Sequence, residues 1–587
     1  MTAASRVRPA DGELVLAPRP RLDGSKPEDD YARVKNDGDP TKSEEASLYG
    51  SGTSPDLIAT VESVYDGPFA AEYAPCDKWE NLANFDPSFR WTYAEEAKVR
   101  RKVDWKIYAW VLVIFLALDI DRGNLSNATA DNLLDDLNIT QDDYNLAITV
   151  QRIAFLLAEL PSQMIGKAIG VDVWLPIQIT CFSVFAMAQC WMKTRASFIA
   201  LRFCVALFQG GLIADVVLYT SYWYTSAEMP LRIGLFFTTN FYSVTITSFA
   251  AVGLLKMRGI CGYTGWQWMF LIEGIFTFCI GVASFFMMAP SPSQTKAKWR
   301  PNGYFTDREV KIIVNRVIRD EPQKGEMHNR QALSPRLLWK SLADYDMIPF
   351  YGMGLLFEIS TNPVSNYFQL SMKSLGFSTA MANLLAVPYT VLGIIFLLGL
   401  VALSEAVNNR VWVCMIEQVW LLPLFIALRT LPDLSPWTAF TISTLCLAVP
   451  YAHAVQVSWI ARNSGSVRTR TVSAALYNMS DQIDDIIGAN LYVASDAPRY
   501  FRANTVCIIL ICVNIVFLYP GLWLYYTLRN RHKEKLWNAM TEKEQKHYLA
   551  TTTDEGNRRL DFRFVLVSLI LAFYVLAATA DCVFRLQ

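Results

Sequence analysis

Between residues 105 and 527 the chain alternates long apolar runs with short polar turns, broken once by a polar connection at 290–345. Each run holds roughly 17–28 residues, enough as an α-helix to cross a hydrocarbon core of about 30 Å. Twelve such runs are expected, at 105–125, 144–168, 171–192, 197–224, 231–255 and 267–289, then 346–370, 379–402, 411–428, 436–460, 471–494 and 504–527. The predicted fold class is an all-α polytopic membrane protein with two halves of six helices. Its expected parts are a disordered tail at 1–100, a first half at 101–290, a linker at 291–345, a second half at 346–528 and a tail at 529–587. The tail ends in an apolar stretch at 565–580, short for a span, which could add a helix or lie at the interface.

Composition supports this reading. Hydrophobic residues make up 52% of the 587-residue chain, and the formal net charge is −1, so no basic excess points to nucleic acid. Eleven cysteines fall mostly inside apolar runs without ligand spacing and read as small core residues. With four histidines, no metal-spaced cluster and no nucleotide loop, neither an enzyme nor a metal or other cofactor is expected. Lys98-Val-Arg-Arg-Lys102 and Lys106 precede the first run while acidic Asp131–Asp136 follows it, which predicts a cytosolic N-terminus. The first hundred residues are polar and rich in Asp, Glu, Pro, Ser and Gly, and carry no signal-peptide core.

The candidate chemistry lies where charge enters the apolar runs. Asp119, Asp121 and Arg122 close the first run, where an ionised group costs of order 2.5–3.5 kcal/mol even on the lenient insertion scale. Arg122 alone could be a snorkelling residue. Adjacent Asp121 and Arg122 point about 100° apart on a helix, so each needs a partner from elsewhere. In the fourth run Arg202 and Gln209 are seven apart and share a face, with Gly210 and Gly211 read as packing glycines. Asp215 is expected to pair with Arg232, Glu159 to join a gate with Glu228, Arg232 and Arg410, and Glu273 to serve either a gate or a proton. Glu358, Glu417, His453, Asp481, Asp484 and Asp485 are further buried candidates, His453 being as readily a structural residue. Of the sequons at Asn124, Asn127 and Asn138, only Asn138 stands clear of the membrane for glycosylation.

Several stretches resemble the fungal allantoate permease family, in the anion:cation symporter branch of the major facilitator superfamily. They include Asp121-Arg-Gly-Asn124-Leu125, Glu159-Leu-Pro-Ser162, Ser221-Tyr-Trp-Tyr224 with Glu228 to Arg232, Trp266 to Gly274, Val467 to Val472, Asp496 to Tyr500 and Leu560 to Phe564. Gly166-Lys-Ala-Ile-Gly170 and the stretch 403–410 resemble worn copies of the superfamily's gating motif. The resemblance covers residues from about 100 to 564. It implies proton-coupled uptake of a small organic anion such as nicotinate, allantoate or pantothenate, by a plasma-membrane protein taken here as a monomer in the lipid bilayer. Carried over by position, Asp121, Arg122, Arg202 and Gln209 would form the coupling and carboxylate-binding site; Asn124 is a further candidate for holding the anion, and Glu273 for carrying protons with Asp121. Gln209 departs from the family's Glu and cannot take up a proton, Ala214 stands where relatives tend to have Pro, and the chain continues past Phe564. Export of an acidic metabolite and a transport-dead nutrient sensor remain open as alternative functions.

Overall fold

The computed structural model describes residues 57–60, 63–66, 74–225, 228–325, 343–407, 409–431, 435–464, 467–496, 499–552 and 556–564. The expectations for residues 1–56 and 565–580 lie outside the described residues. Among those described, twelve helical passages follow one another, labelled α1 to α12. The first six are α1 (Ala109–Ala130), α2 (Gln141–Ile169), α3 (Val171–Ala188), α4 (Arg195–Gln209 and Leu212–Ser221), α5 (Met229–Leu254) and α6 (Gly265–Met287). The second six are α7 (Ile348–Leu356 and Thr361–Ser374), α8 (Thr379–Leu384 and Val387–Val407), α9 (Arg410–Thr430), α10 (Pro436–Leu447 and His453–Asn463), α11 (Val467–Ala489) and α12 (Phe501–Val513 and Tyr519–Asn538).

Local chemistry sets many of the helix starts. Thr140 with Asp143, Thr194 with Ser197 and Thr264 with Gln267 form reciprocal caps that satisfy the first free N–H groups of α2, α4 and α6. Seven passages are long and apolar enough to cross a bilayer by length and composition: α3, α4, α5, α6, α8, α9 and α12. The other five, α1, α2, α7, α10 and α11, are interrupted or carry buried charged and polar side chains. Pro161 does not end α2, which runs on to Ile169, so Glu159 stands well inside the helix rather than at its end.

Within the first half α1 packs on α5 and α6, α2 on α4, and α3 on α6. Across the halves α2 meets α11, α5 meets α8 and α10, and α1 meets α7. A set of hydrogen bonds across the halves lies at the end of the bundle away from the N-terminal segment, here called distal. There Tyr367 donates to Asn145 Oδ1, Asn145 Nδ2 donates to the Tyr492 carbonyl (3.1 Å), Gln141 Nε2 donates to the same carbonyl (3.1 Å), and Asn490 Nδ2 donates to Thr149 (2.8 Å).

The opposite, proximal end corrects two expectations. Residues 74–100, expected within a disordered tail, fold together with residues 101–103 onto the linker helix Asp307–Asp320. Ion pairs join Arg308 to Glu95 (2.7 Å) and Lys102 to Glu309 (2.6 Å), while Asn315 accepts from the Asp86 N–H (2.9 Å). Trp79 and Trp91 are buried in the same contact, which gives a polar segment enough apolar surface to order. Arg232 does not reach Asp215. Its guanidinium grips Asp104 (2.9 and 3.1 Å) and lies 4.0 Å from the Tyr224 ring centroid, and Glu228 pairs instead with Arg316 (2.8 Å). Arg410 is the buried first residue of α9.

Candidate functional site

Polar groups converge in two places midway along the bundle. The first lies within the first half, between α1, α4 and α6. Gln209 Nε2 donates to Asp121 Oδ2 at 2.7 Å. Arg202, 0% exposed, packs its guanidinium 5.4 Å from the Phe270 ring centroid, and none of its three guanidinium nitrogens has a hydrogen-bond partner. Glu273 is buried with both carboxylate oxygens unpartnered, and Asn124 is buried with neither amide atom bonded. Buried polar groups are nearly always hydrogen-bonded, so three orphaned side chains in one chamber mark a place prepared for something else.

The chamber depends on how α4 breaks. Gly211 adopts φ +81°, and a Cβ there would lie 2.6 Å from Ser162. At Gly210 a Cβ would lie 2.6 Å from Ala158 Cβ. The two glycines therefore do more than pack, because they also turn the chain between the pieces of α4. Glu159 caps the turn by accepting from the Gly211 N–H (2.9 Å), and Gln163 donates to the Gly211 carbonyl (2.8 Å). Glu159 thus supports the break that positions Gln209. Asp215, one turn further along, takes a long hydrogen bond from Ser162 (3.5 Å) and lies against Gly166, where a Cβ would come within 3.0 Å of its carboxylate.

The second place lies between the halves. Arg152 on α2 pairs with Asp485 (3.0 Å) and donates to Gln482 (2.8 Å) on α11. Arg122 lies over the Phe155 ring at 5.0 Å. Arg122 and Arg202, expected to hold one anion together, thus stand against different walls, α2 and α6. Deeper in the second half, Glu358, His453 and Asp481 bring one ligand atom each to within 4.8 Å of one another. Sequence reading noted these three separately but could not join them, because they come from α7, α10 and α11.

Residues 111–489 match the Major Facilitator Superfamily. The chain belongs to this superfamily. It is 39% identical over 534 residues to the protein named Uncharacterized transporter YIL166C of Saccharomyces cerevisiae, covering 89% of this chain and 98% of that one. It is 25% identical over 439 residues to the MFS-type transporter efuF of Hormonema carpetanum, covering 74% and 86%. Among solved structures it resembles the xylose transporter XylE from E. coli in a partially occluded inward open conformation, with TM-score 0.53, 12% identity, and 70% and 97% of the chains covered. A bacterial homolog of the human lysosomal transporter Spinster, inward-facing, matches with TM-score 0.53, 12% identity, and 71% and 96% covered. Membership makes the protein a multi-pass membrane transporter for a small substrate rather than an enzyme. Both places lie midway along the bundle, the depth at which secondary transporters bind their cargo, the first against the helices of one half and the second at the junction of the halves.

Proposed function

We propose that the protein is a proton-coupled carrier of a small organic carboxylate, of the type attributed to the allantoate permease family. The observation carrying this reading is Arg202, a fully buried guanidinium with no hydrogen bond from any of its nitrogens. Its planar fork matches a carboxylate in two parallel hydrogen bonds, which supplies the missing partners and balances the charge. Asn124 offers a neutral donor and acceptor beside it. Asp121 and Glu273 share the chamber with the incoming anion, so repulsion among carboxylates favours a proton entering with the cargo. Gln209 holds Asp121 in place by a hydrogen bond but carries no proton itself, which leaves the coupling to Asp121 and Glu273. Arg122, over Phe155, serves the junction between the halves in this reading.

The cluster of Lys and Arg before α1 makes the proximal end cytosolic. The hydrogen bonds at the distal end then close the outer side, as in a carrier facing the cytosol. Glu228, Arg232 and Arg410 act at the cytosolic end as structural and gating residues. Asn138, exposed in the distal turn after α1, is the glycosylation site. The protein works as a monomer in the plasma membrane.

The test is uptake of radiolabelled nicotinate, allantoate and pantothenate at pH 5 and pH 7.5 by cells expressing the native chain or Arg202→Gln. One carboxylate should enter saturably and faster at pH 5. Truncating one partner of a buried charge pair costs about 2–5 kcal/mol, so uptake efficiency should fall ~30-fold or more at unchanged surface level. Native uptake by Arg202→Gln, or equal rates at both pH values, would overturn the reading.

A further inference from the structure

Two of the interrupted helices break at the same level of the second half. The pieces of α7 are separated by Phe357 to Ser360, and those of α10 by Ala448 to Ala452. Each break is held by a carboxylate from a neighbouring helix. Asp484 accepts from the backbone N–H of Glu358 (2.8 Å) and from Asn362 Nδ2 (3.1 Å). Glu417 accepts from the Ala452 N–H (2.8 Å). These two acids are occupied with the backbone, and they fix the positions of Glu358 and His453, which the breaks present to Asp481 on α11.

From this arrangement we infer that Glu358, His453 and Asp481 form a binding site for a divalent transition-metal ion, Zn²⁺ in the first instance. His453 is 5% exposed, and its Nδ1 has no hydrogen-bond partner and stands 3.7 Å from Asp481 Oδ1, which is also unpartnered. One ligand atom from each of the three residues falls within 4.8 Å of the others. Bonds of about 2.0–2.2 Å in a tetrahedral site separate ligand atoms by roughly 3.4 Å, so the His–Asp pair needs to close by only a few tenths of an ångström. One imidazole and two carboxylates form a donor set for Zn²⁺ and leave a fourth position open. Ion sites in transporters are commonly built at breaks of discontinuous helices.

The surroundings hold the imidazole in place for a metal ion. The imidazole is ringed by Phe237 (4.8 Å between centroids), Tyr477 (5.5 Å), Tyr451 (5.6 Å) and Phe357 (5.7 Å). They lock the ring plane, leaving Nδ1 directed at Asp481. Tyr451 donates to Glu358 Oε2 at 3.4 Å, which orients the second carboxylate. Asp485, the nearest further acid on α11, is engaged by Arg152 (3.0 Å) and so is not a ligand. A bound ion would tie α7, α10 and α11 of one half together without touching the chamber around Arg202.

The test measures binding alone, with no transport. The full chain, purified in detergent with any affinity tag removed, is titrated with Zn²⁺ against a chromogenic chelator at pH 7.5, with Mg²⁺ as control. One Zn²⁺ per chain is expected. His453→Gln and Asp481→Asn should each weaken binding ~tenfold or more, and His547→Gln, altering an exposed histidine, should leave it unchanged. No binding above the Mg²⁺ control, or equal binding in native protein and His453→Gln, would overturn the inference. Should the variants not elute as monodisperse protein, electron paramagnetic resonance of Mn²⁺ bound to native chain decides. A coupling to one imidazole nitrogen is expected, and its absence overturns the site.

Discussion

The turn at Gly210 and Gly211 offers a test that needs no knowledge of the cargo. Replacing Gly211 with Ala forces a β-carbon into a left-handed conformation, φ +81°, at about 1–2 kcal/mol. That carbon would also sit 2.6 Å from both Cβ and Oγ of Ser162. Ser162 cannot easily retreat, because its Oγ accepts from Trp174 Nε1 and Gln178 Nε2, both at 2.9 Å. Overpacking of this kind costs about 1–3 kcal/mol, so Gly211→Ala should lose roughly 2–5 kcal/mol in all. At Gly210 the backbone is ordinary, φ −61°, and the cost is overpacking alone, against Ala158 Cβ (2.6 Å) and the Phe155 carbonyl (2.8 Å), about 1–3 kcal/mol. Gly399 in α8 is the control: nothing lies within 4 Å of a Cβ there, and Ala in a helix interior gains up to about 1 kcal/mol over Gly. Thermal denaturation in one detergent should rank Gly399→Ala at or above the native chain, then Gly210→Ala, then Gly211→Ala. A Gly211→Ala protein as stable as Gly399→Ala would refute the account of the break.

At the distal seal, Asn145→Ala removes the hydrogen bonds to Tyr367 and Tyr492. At about 0.5–1.5 kcal/mol each, their loss should shift the population several-fold toward an open distal end, read as a longer distance between spin labels on the distal ends of α2 and α7. An unchanged distance would count against this seal. At the proximal end, the Arg308 guanidinium hydrogen-bonded to Glu95 holds its carboxyl below the usual Glu range. The pairing therefore adds stability above the unfolded pKa and loses it as pH falls through the lower, folded value. Hydrogen exchange in residues 93–103 should rise below about pH 4.5 in the native chain. Glu95→Gln, which keeps the helix cap but not the ion pair, should show elevated exchange already at pH 7; matching profiles would dismiss the ion pair. Asn138→Gln should abolish the mobility shift that glycosidase treatment causes in protein from a eukaryotic host, and a native chain without that shift would exclude the glycan.

The hydrophobic pattern located the helices closely where apolar residues alone decide them. The expected 267–289 and 411–428 correspond to Gly265–Met287 and Arg410–Thr430. The breaks in α7 and α10 were hidden, because a run read for mean apolarity is blind to a few residues of non-helical backbone within it. Arg202 and Gln209 were legible as one face from helical spacing and Asp121 joined them only through the family resemblance, whereas the partners of Arg232 and Arg122 were not legible. Asp104 lies 128 positions from Arg232, and only tertiary packing brings them together. The order of residues 74–100 was equally hidden, since the segment owes its structure to a helix more than two hundred positions away.

The division of the helices into seven apolar and five polar passages has a consequence for how the protein is made. A segment such as α1, with Asp119 and Asp121 buried and Arg122 half-buried near its middle, is a poor candidate to leave the translocation machinery for lipid unaccompanied. Its insertion is expected to await α5 and α6, on which it packs, whereas α11 emerges with its partners α2 and α7 already made. Biogenesis is then a collective event in which late helices rescue early ones. A lesion in α6 far from any polar group would surface first as a missing α1 and a degraded chain, before any fault in transport could be observed.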